Sequence, residues 1–121
     1  MSRVRTVAVR STAGVVLCDS CLLADSPALR LRGLLGRAEL TPGEGLLLRP
    51  TGSIHTWFMR FPIDAVFLDR ELRVLRVVDR LGPWRAAAAR KARAVLELPA
   101  GEADRRGIAP GDVLALGGAE R

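Results

Sequence analysis

A small, mainly β single domain, a barrel or sandwich carrying one or two short helical insertions, is the fold this sequence predicts, and three observations predict it. Short apolar runs recur along the chain with Gly, Pro, Asp or Ser between them, the spacing of strands and turns. Little of the chain carries helical periodicity. At 121 residues with 49% hydrophobic side chains, the chain has enough apolar surface for one core and no room for two ordinary domains.

Val4 to Arg10 alternates imperfectly between polar and apolar residues, and Gly14 precedes Val-Val-Leu-Cys, so the opening reads as a hairpin turning at Ser11 to Gly14. Ser26 before Pro27 is an N-cap followed by a first-turn proline, which predicts a short helix over Pro27 to Leu35 with Gly36 as its stop. Thr41 to Gly45 is a turn cluster leading into a brief strand, Leu46 to Leu48. Pro62 divides the next segment into an entry arm, Ile54 to Phe58, and a strand, Ile63 to Leu68. Asp69 to Glu71 turns into a strand at Leu72 to Val78, and so short a connection makes the pair antiparallel. Ala86 to Ala92 is ambiguous between helix and loop, because alanine favours helix but no apolar stripe would hold it down. Ala94 to Leu98 reads as a buried strand, Pro99 to Arg106 as one helical turn, and Val113 to Leu116 as the last strand.

The net charge is +6, and Lys91 is the only lysine among the basic residues. Arginine suits planar recognition of phosphate or carboxylate, but compositional bias produces the same excess. The densest basic run, Arg85 to Arg93, has a single aromatic neighbour, Trp84, whereas nucleic-acid modules interleave basic and stacking residues. Nucleic acid is therefore disfavoured as a partner. The opening Met-Ser-Arg-Val-Arg-Thr-Val has charge but no following apolar run, and no later stretch approaches the length of a membrane span, so we expect a cytoplasmic protein.

Five blocks stand in a recognisable order: Arg-Leu-Arg-Gly-Leu-Leu-Gly-Arg (30–37), Ile-His-Thr-Trp-Phe-Met (54–59), Pro-Ile-Asp-Ala-Val-Phe-Leu-Asp (62–69), Val-Leu-Glu-Leu-Pro-Ala-Gly (95–101) and Gly-Ile-Ala-Pro-Gly-Asp (107–112). In that order and spacing the chain resembles the bacterial and archaeal family DUF192, also called UPF0127, over about residues 13 to 116. The resemblance implies a compact β-rich fold and no particular activity. Many members carry an export signal or lipid anchor ahead of the domain; this sequence begins almost directly at the fold, so a periplasmic role is not carried over. Leu35 stands where many members have methionine, an apolar swap compatible with packing.

The chemistry concentrates between Ser53 and Asp69, which holds the only histidine, one of two tryptophans and all three phenylalanines. His55 and Asp64 sit there among apolar side chains, either as an acid/base pair or as structural hydrogen-bonding groups. Glu97, in the block at 95–101, adds a second carboxylate for a metal site or the polar floor of a pocket. Cys18-Asp-Ser-Cys21 has redox or zinc spacing, but lacks a redox setting and further ligands, and we expect the pair to be apolar filler. No nucleophile elbow and no phosphate loop is present, and the sequence leaves the cofactor unknown.

The expected function is a non-enzymatic small-ligand-binding module. Its pocket would be walled by Trp57, Met59 and Phe61, with polar groups from His55, Asp64, Arg37 and Glu97. The alternative is a small metal-dependent, hydrolase-like enzyme using His55, Asp64 and Glu97.

Overall fold

The computed structural model describes residues 5–25 and 39–118. Nine strands and one helical turn follow one another in this span: β1 (Arg5–Ser11), β2 (Val16–Ala24), β3 (Glu44–Leu48), β4 (Ser53–His55), β5 (Ile63–Leu68), β6 (Val74–Leu81), β7 (Ala86–Ala88), β8 (Ala94–Pro99), α1 (Glu102–Arg105) and β9 (Leu114–Gly118). Seven strands form one sheet in the order β6-β5-β8-β3-β2-β1-β9, and β4 pairs with β7 in a separate ribbon. Only β2 and β3 run parallel; every other pairing is antiparallel. The mainly β architecture is the one expected, and the sheet is curled into a half-barrel. At one end its two outer strands meet, through a bridge between Arg73 and Val113 and hydrogen bonds that link Val74 to Gly111 and Asp112.

Central β5 and β8 are buried along their whole length, as mostly apolar runs covered on both faces are, with Asp64 and Glu97 buried among them. One face carries Leu17, Leu47, Val66, Leu96 and Leu98, with Ala103 and Ile108 packed over them from the α1 region. The other carries Leu46, Leu48, Ile63, Phe67 and Val95, covered by Ile54 and Met59. Each of the larger of these side chains contributes about 1.5–3 kcal/mol by leaving water.

The opening hairpin, the β5–β6 hairpin and β8 follow the sequence reading closely, and the turn after Pro99 is the short α1. β2 is longer than Val15 to Cys18 because its ladder continues past a bulge: Cys18 faces Val9 and Cys21 faces Val7, so β2 has one residue more than β1 between them. Without that extra residue the two cysteines would point to opposite faces. With it, both enter the same core, free and fully buried. The ambiguous alanine stretch forms β7, held by pairing with Ser53, Ile54 and His55 rather than by helix propensity. The helix predicted over Pro27 to Leu35 lies outside the described residues.

Candidate functional site

The loop after β4 and the turn between β6 and β7 are tied together by Thr56, a fully buried threonine. Its amide donates to the Arg85 carbonyl at 2.8 Å, and its own carbonyl accepts from the Trp84 amide at 3.0 Å. The hydroxyl donates to the Gly82 carbonyl and accepts from the Arg85 amide at 2.9 Å. With every polar group of Thr56 paired across the gap, the two loops behave as one platform.

Aromatic rings stand on this platform. His55 and Trp57 are stacked, with ring centroids 4.4 Å apart, and Phe58 meets Trp84 at 4.7 Å and a steep tilt. Trp57, Phe58 and Trp84 are 47%, 68% and 60% exposed. Phe58 and Trp84 both hold a positive φ, +68° and +63°, a backbone region that costs a bulky residue energy and that turns both rings outward together. Aromatic side chains otherwise dominate cores; here they are presented to solvent.

Beside the rings runs a groove of about 570 Å³ between β6 and β7, lined by Arg76, Asp79, Arg80 and Arg85 together with Val78 and Gly82. Arg76 and Arg85 thus share the groove with one carboxylate, Asp79, while the Arg80 guanidinium lies against Gly101. Arg76 donates to the Ala88 carbonyl at 2.6 Å. Among the described residues, neither Arg80 nor Arg85 forms an ion pair. β6 bulges at Asp79 and Arg80: Ile63 faces Leu81 and Ala65 faces Val78, which leaves an extra residue in β6. The freed Arg80 amide is taken by Asp64 Oδ1 at 2.8 Å, while Asp64 Oδ2 accepts from Gly101 and Ala103 at the start of α1, at 3.0 and 2.8 Å.

The residues singled out in the sequence therefore divide. His55 and Trp57 are in the ring cluster. Met59 is buried beneath it in the second core face. Phe61 borders a separate concavity of about 510 Å³ alongside Leu40, Pro99 and Arg105. Asp64 is 0% exposed. By strand alternation it lies on the face of Val66 and Leu68, opposite to Met59, where its carboxylate is occupied by backbone amides. Glu97 pairs with Leu46 and Ala65, which puts it on the second face, 4% exposed, where burial pushes its carboxyl up to about 8. Arg37 lies outside the described residues. The Cys21 thiol is pushed up by its hydrogen bond with Cys18 and by burial, which keeps it protonated and unreactive.

Among the described residues, no three His, Cys, Asp or Glu side chains gather where they could hold a metal ion, so the geometry gives the metal-enzyme alternative no support. No described helix is long and apolar enough to cross a membrane. Thr56, Phe58, Arg76, Trp84 and Arg85 are the residues that the sequence reading left out of the site. The one local signal was Trp84 itself, a large aromatic set directly after Gly82-Pro83 and before Arg85, in a turn that offers it nothing to pack against.

Two solved structures share this fold. One is a protein of unknown function from Novosphingobium aromaticivorans, 29% identical, matched over 93% of this chain and 84% of its own with a TM-score of 0.79. The other, described as a putative transcription regulator from Sinorhizobium meliloti, is 24% identical and matched over 94% of each chain with a TM-score of 0.81. Among curated proteins, none matches this chain. The profile of DUF192, described as "Uncharacterized ACR", matches residues 8–116, and with nearly the whole chain in register with it, the protein belongs to the DUF192 family.

Proposed function

We propose that this protein is a non-enzymatic ligand-binding module whose contact surface is the ring cluster of His55, Trp57, Phe58 and Trp84. The site lies at the outer end of the aromatic segment, with Met59 supporting it from below and Asp64 and Glu97 serving the fold. One observation carries the reading: two loops cross-tied by Thr56 hold three large aromatic side chains 47% to 68% exposed, two of them at positive φ. Strain of that kind, about 1–3 kcal/mol per residue, persists where the surrounding structure fixes it and is concentrated at sites that bind. Exposed aromatic surface grouped in one place also marks recognition more often than isolated apolar residues do.

Both tryptophans of the protein are in the cluster, so intrinsic emission reports on this surface alone. Titration with two neutral ring compounds, adenosine and cellobiose, is expected to give a saturable change in emission with at least one of them at millimolar concentration. Trp84→Ala is expected to remove most of that change while the melting temperature moves by only a few degrees. Emission unaltered by both compounds would overturn the proposal.

A further inference from the structure

We infer that the ligand of this surface is single-stranded nucleic acid, its bases stacked on the ring cluster and its phosphates held in the adjoining arginine groove; this rests on the ring-cluster reading above. In sequence, the basic run from Arg85 has Trp84 as its only aromatic neighbour, which is too little for such a partner. Folding supplies what is missing. Phe58 comes to 4.7 Å from Trp84, and the stacked His55 and Trp57 join through the same loop. Arg76 comes from β6 to the groove that Arg85 closes.

Ring cluster and groove adjoin, because Gly82 and Arg85, which line the groove, flank Trp84 in one turn. Exposed aromatic platforms beside a positively charged groove are what a strand with unpaired bases requires, since each base has a face to stack and each step a phosphate to neutralise. A duplex hides its base faces and leaves the rings without a partner. Arg76 and Arg85 outnumber the single carboxylate, Asp79, and Arg85 has no ion partner among the described residues, which leaves the groove positive. A neutral ligand would use the rings and leave those arginines idle. The overall charge of +6 works in the same direction, drawing a polyanion toward the surface.

The test titrates the full chain with short oligo-adenylate in its ribo and deoxy forms, the matching duplex, AMP and adenosine, following tryptophan emission at several salt concentrations. The expected result is quenching by single strands at concentrations at least tenfold below those needed for AMP or duplex. Two phosphate contacts, at Arg76 and Arg85, predict a log–log salt slope of about −1.4. Trp84→Ala should weaken single-strand binding about tenfold, and Arg85→Gln should reduce the slope by about 0.7. Comparison of the two sugar forms shows which strand is preferred.

If adenosine quenches as well as the single strands do, with no salt dependence, the nucleic-acid inference fails while the ring-cluster reading stands. If oligonucleotides bind without any change in emission and with no effect of Trp84→Ala, the attraction is bulk charge and the inference fails. A wild-type dimer that Trp84→Ala converts to monomer would assign the rings to self-association and overturn it as well.

Discussion

Glu97 is a carboxyl group placed where a hydrocarbon would be the ordinary choice, between Leu46 and Ala65 in the centre of the sheet. Burial is the cause that raises its pKa, from 4.5 to about 8, with no charge or hydrogen bond offsetting it among the described residues. The direction of the linkage follows. Below the unfolded value, both folded and unfolded chains hold the proton, and Glu97 is neutral in each. Between that value and about 8 the unfolded chain has released its proton while the folded chain keeps it, so each rise in pH favours unfolding. Above about 8 both forms are ionised and the penalty is complete. The melting temperature is therefore expected to fall across this window in the wild type. Glu97→Gln should flatten that fall and be the more stable protein at pH 8 by a few kcal/mol. Melts of both proteins at several pH values read the difference directly, and parallel curves would contradict the burial argument.

At the scale of elements, Asp64 is the joint between β5, the β6 bulge and α1. Its two oxygens accept three backbone amides, from Arg80, Gly101 and Ala103. Two of those lie at the start of a helical turn, where a negative charge also meets the favourable end of the peptide dipoles. Replacing Asp64 by alanine strands all three donors in a dry site, and a loss of about 3 kcal/mol or more in urea unfolding is expected; Asp64→Asn, which keeps one acceptor oxygen, should lose less. A cost below about 1 kcal/mol would show that the joint does not matter.

The elements differ in how plainly the sequence announces them. Ile63 to Leu68 and Ala94 to Leu98 are apolar runs, each interrupted by a single carboxylate and bounded by Pro62, Asp69 and Pro99, so their strands are legible in one dimension. The extension of β2 is not, because its bulge at Asp19 and Ser20 breaks the period-two pattern that identifies a strand. β7 is three alanines without alternation, and what makes it a strand is β4, some thirty residues earlier in the chain. The site divides in the same way. His55 and Trp57 are conspicuous by type, whereas Phe58 and Trp84 become a pair only through hydrogen bonds that span the two loops. Asp64, an ionisable residue in an apolar segment, looks like a site residue in sequence. Its partners are amides from β6 and α1, and no local pattern reveals them.

For the whole molecule, the curled sheet encloses one core face in which Cys18 and Cys21 sit with Leu17, Leu47 and Leu98. Both thiols are fully buried, and they lie on a strand flanked on both sides by other strands. Their exposure requires the half-barrel to open rather than a loop to move. A thiol-reactive disulfide reagent is thus expected to modify neither cysteine in the native protein faster than global unfolding allows, and both at once in denaturant. Rapid labelling of the native chain would reveal a local opening route through β1 and β2.

The half-barrel closes only at the end where Arg73 meets Val113, and from there β6 runs on as an outer strand. Open strand edges invite other chains to add to them, and charged residues and bulges are the usual protection. β6 has both: two irregularities in its register, with Arg76, Asp79 and Arg80 set among its apolar residues. The side chains that line the groove therefore also keep this edge from templating aggregates. Neutralising Arg76 would weaken that guard along with any contact to a ligand. Arg85, in the turn beyond the strand, has no part in it, so it is the arginine at which recognition can be altered while the edge stays defended.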